Sequence, residues 1–430
     1  MRLFNQFSLQ NLRGDILGGV TAAIVSLPIA LAFGIASGAG AEAGLYGAIV
    51  VGFFSVCFGG TPTLISEPTG PMTVVMTAVI TTMVAQNPEN GLAMAFTVVV
   101  IAGIFQILLG TLKLGKYITL MPYSVISGFM SGIGVILIIL QLAPFLGQPE
   151  VSGSVFDRVV YLPSLLANIQ LADALLGIGA LLFLLLSPKK MSRYLPPQLV
   201  VLVVGASIPL LLMTNVPLKS IGEFHFGWPQ FYLPHFSQSQ IMEMVLDGMI
   251  LGTLGCIDSL LTAVISDSLT RQEHKSNKEL IGQGVGNIMS GLFGGLPGAG
   301  ATMGTVVNIQ SGARSATSGV TRVAALLVFV IGAAEFTQNI PLAVLAAIAI
   351  KVGIDILDWS FLRRAHRVSP QAAFIMYGVM LLTIFVDLIV AVGIGIFIAN
   401  ILTIERLSRY QSNNNIKAIS DADDEVQLTP

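Results

Sequence analysis

Charged residues are scarce in this chain. Asp, Glu, Lys and Arg make up only 10% of its 430 residues, hydrophobic residues make up 54%, and the mean hydropathy is +0.83. These values exclude a soluble globular domain of this length. The apolar stretches are about 20 residues long, the length of a bilayer-crossing helix, and they lack the alternating polarity of a transmembrane β-barrel. We therefore expect an all-α polytopic membrane protein.

Cysteines and catalytic clusters are also sparse. The two cysteines, Cys57 and Cys256, lie within apolar stretches, where a thiol usually behaves as a small hydrophobic group. They indicate neither a disulfide framework nor a thiolate metal site. No Ser/His, Cys/His or metal-ligand cluster falls within the apolar stretches, so an enzyme is not expected. The amino terminus does not resemble a removable signal peptide, and the net charge of −2 does not predict nucleic acid as a partner.

Polar, glycine or proline breaks divide the apolar sequence into fourteen predicted crossings. These are residues 15–36, 41–59, 69–85, 91–112, 117–146, 169–187, 197–214, 238–264, 277–294, 301–311, 317–334, 341–355, 370–386 and 387–405. With segment 1–14 in the cytoplasm, only Arg158 and Lys219 of the 21 basic residues fall in predicted outside loops. This asymmetry follows the positive-inside rule and predicts that both termini are cytoplasmic.

Two glycine-rich runs interrupt the chain at equivalent places. FGGTP begins at Phe58 and FGGLP begins at Phe293, and each precedes a short apolar segment, TGPMTVV from Thr69 and TMGTVV from Thr302. A third pair of similar segments is MPYSVISGFMSGIG and IPLAVLAAIAIKVG, and their alignment places Gly134 opposite Gly353. Fourteen crossings split at this repeat give seven per half, so the second half must be inverted. Inverted repeats with matching breaks are typical of secondary transporters with a site at the membrane midplane.

The breaks predict two short half-helices whose N-termini meet in mid-membrane. The first N–H groups of a helix have no intrahelical partner, and the helix dipole is positive there, so two such ends form an anion site. Thr69 and Thr302 can cap these helices or donate a hydroxyl to a ligand, while Gly300 and Ala301 allow close backbone approach.

Asp258 is the clearest charge deep within a predicted crossing, and Thr262 lies one turn later on the same helix face. A carboxylate there is a functional candidate by default, although a protonated or helix-bonded Asp is the structural alternative. An ionised Asp258 would repel a nearby anion, so either a proton or a sodium ion is needed, and oxygen ligands suit sodium. Glu67 either carries a proton or holds the extended segment ISEP in place.

The runs FGGTPTLISEPTGPMTVV, GCIDSLLTAVISDSLTRQEHKSNKELIGQGVGN and SGLFGGLPGAGATMGTVVNIQSGARS resemble the SulP anion transporter family, most closely its cyanobacterial sodium-dependent bicarbonate transporters. The resemblance covers essentially the whole chain. It implies two inverted repeats of seven spans, with a core domain (residues 15–115 and 238–338) that moves against a gate domain (residues 116–237 and 339–408). It also implies bicarbonate near Thr69 and Ala301. Sodium is implied near four residues, Asp258, Thr262, Gly300 and Thr302.

Members of this family usually continue into a cytoplasmic STAS domain, and residues 409–430 resemble a linker toward it. The implied location is the plasma or inner membrane, and a homodimer through the STAS domain is possible. The expected function is sodium:bicarbonate symport. Proton-coupled or exchange transport of sulfate or another small anion is the nearest alternative, and an anion channel is a second class. A purely structural or receptor role would leave Asp258 and the two breaks unexplained.

Overall fold

A computed structural model describes residues 5, 10–115, 123–149, 155–188, 196–212, 218–221, 229–236, 240–368 and 370–385. Over these ranges the chain forms fifteen helices and two short strands. The helices are α1 (Leu12–Ala36), α2 (Ala41–Phe58), α3 (Gly70–Gln86), α4 (Gly91–Thr111), α5 (Tyr123–Phe145), α6 (Val155–Ala167), α7 (Leu171–Leu186), α8 (Pro197–Leu212), α9 (Ile241–Thr270), α10 (Ser276–Leu292), α11 (Thr302–Gln310), α12 (Thr317–Gln338), α13 (Leu342–Ile356), α14 (Trp359–Val368) and α15 (Pro370–Phe385). The strands are β1 (Ser66–Glu67) and β2 (Ala299–Gly300).

Every predicted crossing up to residue 386 coincides with one of these helices, whereas the last, 387–405, lies outside the described residues. Two helices, α6 and α14, fall in predicted loops. Among the described residues, α1, α2, α4, α5 and α9 are each long and apolar enough to cross a membrane. The helices α6 and α7 meet this criterion only together and are bent by 114° at their junction.

The two helices that follow the glycine-rich runs differ in length. The nine residues of α11 rise about 13 Å, as expected of a half-helix, whereas the seventeen residues of α3 rise about 25 Å. The prediction of two short half-helices is therefore wrong for α3. Pro71 lies in the first turn of α3, where proline is tolerated, and no helix breaker follows before Asn87 and Pro88.

The strands β1 and β2 pair with each other in antiparallel orientation. Ser66 lies opposite Gly300 and Glu67 lies opposite Ala299. One further backbone bond, 2.8 Å long, runs from the N–H of Ala301 to the carbonyl of Ile65. The pairing therefore joins the two breaks directly, just before the first turns of α3 and α11.

Helices α5 and α13 are in contact at Gly134 and Gly353, the two glycines that the third pair of similar segments aligns. A Cβ atom on Gly134 would lie 2.6 Å from the carbonyl oxygen of Gly353, and one on Gly353 would lie 2.9 Å from the carbonyl oxygen of Gly134. Such reciprocal contact is expected where two inverted copies meet. It is consistent with the inverted repeat, which stays a prediction.

By compactness the chain divides into residues 1–120 with 133–357, and residues 121–132 with 358–430. All the predicted site residues belong to the first unit. The core and gate domains drawn from the family resemblance divide the chain elsewhere, and that division stays a prediction.

We predict that Gly134→Ala lowers the midpoint of thermal unfolding in detergent, because the new methyl group must displace the backbone of α13. Overpacking of this kind costs about 1–3 kcal/mol. Gly179→Ala is the matched control, since Gly179 lies inside α7 and a Cβ atom there would have no neighbouring atom within 4 Å. Equal midpoints for the two variants would contradict the close contact of α5 with α13.

Candidate functional site

One row of polar side chains on α10 holds the first break in place. Glu279, Gln283 and Asn287 follow each other at intervals of four residues and so share one helix face. The carboxylate Oε2 of Glu279 accepts a 2.8 Å bond from the N–H of Gly60. Gln283 Nε2 donates to Ser66 Oγ over 2.6 Å. The first glycine-rich turn and β1 are thus both fixed to α10.

The same row holds the second break. Asn287 Oδ1 accepts from the N–H of Gly298 (2.8 Å), and Asn287 Nδ2 donates to the carbonyl of Gly298 (2.9 Å). Ser290 Oγ donates to the carbonyl of Leu296 over 2.7 Å. A Cβ atom on Gly298 would lie 2.9 Å from the backbone of Glu67, so the two breaks approach as closely as only glycine permits.

Arg322 on α12 fixes β1 from another direction, and sequence reasoning missed it. The Arg322 side chain is 1% exposed and forms an ion pair with Glu67. It also donates a 3.2 Å hydrogen bond to the carbonyl oxygen of Ser66. Other bonds reach Ser26 Oγ (3.0 Å) and the carbonyl of Ala48 (3.1 Å). The signal was a basic residue inside the predicted crossing 317–334. Its pairing with Glu67 favours the structural interpretation of that carboxylate.

The residues predicted to bind sodium converge on β2. Thr262 Oγ1 donates to the carbonyl of Gly300 over 2.8 Å and lies 3.0 Å from Thr302 Oγ1. Ser259, which the sequence analysis did not single out, accepts a 2.9 Å bond from the N–H of Gly300. Asp258 lies one turn before Thr262 and therefore shares its face of α9.

Two buried oxygens at this place have no hydrogen-bond partner in the part of the chain that the structure describes. They are Oδ2 of Asp258 and Oγ1 of Thr69, in residues that are 9% and 8% exposed. The Thr69 hydroxyl lies near the Asp258 carboxyl group but makes no hydrogen bond to it. An unpaired buried polar atom is costly, and such atoms in a native fold call for an explanation such as a bound ion.

The threonines do not cap their helices with their side chains. Thr69 is the N-cap residue of α3, yet its hydroxyl makes no capping bond. Ala301, not Thr302, is the N-cap residue of α11, and Thr302 is the first helical residue. The interpretation that these two hydroxyls serve only as helix caps is therefore wrong.

The arrangement offers ligands for both a cation and an anion. A carboxylate, two threonine hydroxyls and a backbone carbonyl are the oxygen donors that a hard cation prefers. The first N–H groups of α3 and α11 are free of intrahelical partners and favour negative charge. The six predicted residues thus occupy one neighbourhood around the paired strands.

The chain has many apolar helices, and two of its interrupted segments meet at a polar cluster. This combination is typical of helical membrane proteins of the transporter class. A model of the sulfate permease family matches residues 12–379. This chain belongs to that family.

Two curated relatives and one solved structure are particularly similar. The bicarbonate transporter BicA of Picosynechococcus sp. is 61% identical over 433 residues, which cover 100% of this chain and 76% of the relative. The bicarbonate transporter BicA of Synechocystis sp. is also 61% identical, with the same coverage. The solved transmembrane domain of a cyanobacterial bicarbonate transporter BicA superimposes with a TM-score of 0.86 at 59% identity and covers 91% of this chain and 100% of that one.

We predict that Arg322→Gln strongly destabilises the protein. Loss of one partner leaves the buried carboxylate of Glu67 uncompensated, which typically costs about 3–5 kcal/mol. Thermal unfolding of the purified protein measures the effect.

The matched control is Lys351→Gln, which removes the cation of a more exposed pair with Asp355 on α13. Exposed pairs contribute about 0–1 kcal/mol. If Arg322→Gln is no more harmful than this control, Arg322 does not hold the break.

Proposed function

We propose that this protein takes up bicarbonate together with sodium by alternating access. The observation that carries the proposal is the pair of unpartnered buried oxygens on Asp258 and Thr69 beside the joined breaks. The name bicarbonate transporter of both relatives, at 61% identity over the whole chain, supports the choice of anion.

Sodium is the proposed partner of the free Asp258 oxygen. Thr262 Oγ1 lies 2.8 Å from the carbonyl oxygen of Gly300 and 3.0 Å from Thr302 Oγ1. A sodium ion bound by these atoms and by Asp258 would screen the carboxylate from the anion. Without the cation, the repulsion between the carboxylate and the anion would be about 4 kcal/mol for unit charges 4 Å apart at an effective dielectric constant of 20.

Bicarbonate is proposed to lie near Thr69 and Ala301, the N-cap residues of α3 and α11. The free N–H groups of the first helical turns donate to its oxygens, and the unpaired hydroxyl of Thr69 supplies another donor. The affinity of either ion then depends on the other, because each neutralises the charge that the other meets. This mutual dependence is the physical basis of coupling.

Joint entry also removes an electrical barrier. Moving a lone monovalent anion inward against 100 mV costs about 2.3 kcal/mol, whereas a pair of one anion and one cation carries no net charge and does not meet this cost. In the proposed cycle the core domain carries both ions past the gate domain. The proposed setting is the plasma or inner membrane, with cytoplasmic termini and a dimer formed through a cytoplasmic domain.

A second candidate is proton-coupled or exchange transport of sulfate or another small anion. The sulfate permease description of the family favours it. A proton on the free Oδ2 of Asp258 would satisfy that atom without sodium, and helix N-termini bind any small oxyanion.

We predict that purified protein in proteoliposomes accumulates labelled bicarbonate when sodium is present outside and not when potassium replaces it. An imposed pH gradient without sodium should cause no more uptake than in protein-free liposomes, where carbon dioxide diffusion alone carries in label. Uptake that follows the pH gradient and ignores sodium would support the second candidate instead. Currents far above the turnover of a carrier would indicate a channel.

We predict that Asp258→Asn abolishes the sodium dependence of uptake, because the neutral amide supplies no charge and only one oxygen to the cation. The measurement is the sodium concentration that gives half-maximal uptake. Asp247→Asn, a matched change eleven positions earlier on α9, should leave this concentration unchanged. An unchanged sodium response in Asp258→Asn would remove Asp258 from the site.

A further inference from the structure

The helix α14 carries a concentrated positive charge that the proposed ion site does not use. Its ten residues, WSFLRRAHRV, include Arg363, Arg364 and Arg367 but no acidic residue. In the sequence it lies between the predicted crossings 341–355 and 370–386, so it belongs at a membrane surface. The charge pattern places this loop on the cytoplasmic side.

The described side chains of α14 separate by polarity. Arg363 and Arg364 are exposed, whereas Phe361 and Leu362 are partly buried. The rings of Phe361 and Tyr123 pack edge to face, with their centroids 5.5 Å apart. A short helix that is basic on one face and apolar on the other is typical of helices that lie in the membrane interface.

Asp358 fixes the start of this helix. Its Oδ1 accepts from the N–H of Phe361 at 3.0 Å, which is an N-cap interaction, and its Oδ2 accepts from Tyr123 and from Ser127 at 2.8 Å. Burial acts to raise the pKa of the Asp358 carboxyl, but these hydrogen bonds outweigh it and hold the pKa below its usual value. The carboxylate therefore caps the helix, and Arg363 and Arg364 are exposed in the next turn.

Trp359 lies beside the basic face. The residue is 47% exposed, and the guanidinium of Arg363 stands 5.9 Å from the centre of its ring. Tryptophan is enriched where a protein meets the headgroup region of a bilayer, because its ring is apolar and its N–H is polar. An exposed tryptophan stacked with an arginine therefore suits a surface that contacts lipid headgroups.

We propose that α14 binds the headgroups of anionic phospholipids. Charge complementarity carries the choice of partner, since a guanidinium binds a phosphate oxygen pair in a bidentate manner and a basic surface attracts anionic lipids. The headgroups are already present at the membrane surface, so modest affinity at each arginine suffices.

Trp359 supplies a direct probe of this proposal. The chain has two tryptophans, and Trp228→Phe leaves Trp359 as the sole source of tryptophan fluorescence. The purified variant is placed in equimolar phosphatidylglycerol and phosphatidylcholine vesicles in which either one or the other lipid carries brominated acyl chains. Bromine quenches tryptophan only at close range, so the ratio of the two quenching values reports which lipid lies beside Trp359.

We expect brominated phosphatidylglycerol to quench more strongly, with a local preference of roughly fivefold or more. Arg363→Gln with Arg364→Gln should remove the preference, and Arg363→Lys with Arg364→Lys should retain part of it. The control, Arg271→Gln with Lys275→Gln, neutralises two exposed basic residues elsewhere and should leave the preference intact.

Equal quenching by the two lipids in the parent variant would overturn the proposal, as would a preference that survives neutralisation of Arg363 and Arg364. The readout needs no transport, so it stands or fails independently of the bicarbonate and sodium assignments.

Discussion

The antiparallel pairing of Ser66–Glu67 with Ala299–Gly300 is the contact on which the proposed site depends. Two strands of two residues each are far too short to be stable alone. The polar row of α10 and the guanidinium of Arg322 on α12 satisfy the backbone on either side of the pair. These two helices thus hold a break that would otherwise expose unpaired backbone groups in an apolar surrounding.

This scaffold also determines where charge remains uncompensated. Arg322 donates a hydrogen bond to the backbone of β1, and its positive charge is already paired with Glu67. Asp258 consequently has no fixed cationic partner among the described residues and keeps a free oxygen next to Thr69. A mobile cation would complement Asp258, and in the proposed function that cation is sodium.

The sequence predicted the helices well because each long apolar segment is bounded by glycine, proline or charge. It also predicted the two breaks, since glycine-rich runs stand out in an apolar chain. It singled out Asp258 as a lone carboxylate in an apolar segment, and the role of Asp258 stays a prediction. It did not predict the bonds of Glu279 to Gly60 and of Gln283 to Ser66, or the pair of Glu67 with Arg322, because each of these joins segments more than 200 residues apart. The helix α14 was missed because short amphipathic segments carry weak local signals.

In the proposed site the anion and sodium occupy adjacent positions and stabilise each other. Binding of radioactive sodium to the purified protein, measured with increasing bicarbonate, tests it directly and without a membrane gradient. Adjacent sites require bicarbonate to tighten sodium binding, and sodium to tighten bicarbonate binding by the same factor. A sodium affinity that bicarbonate leaves unchanged would contradict the account.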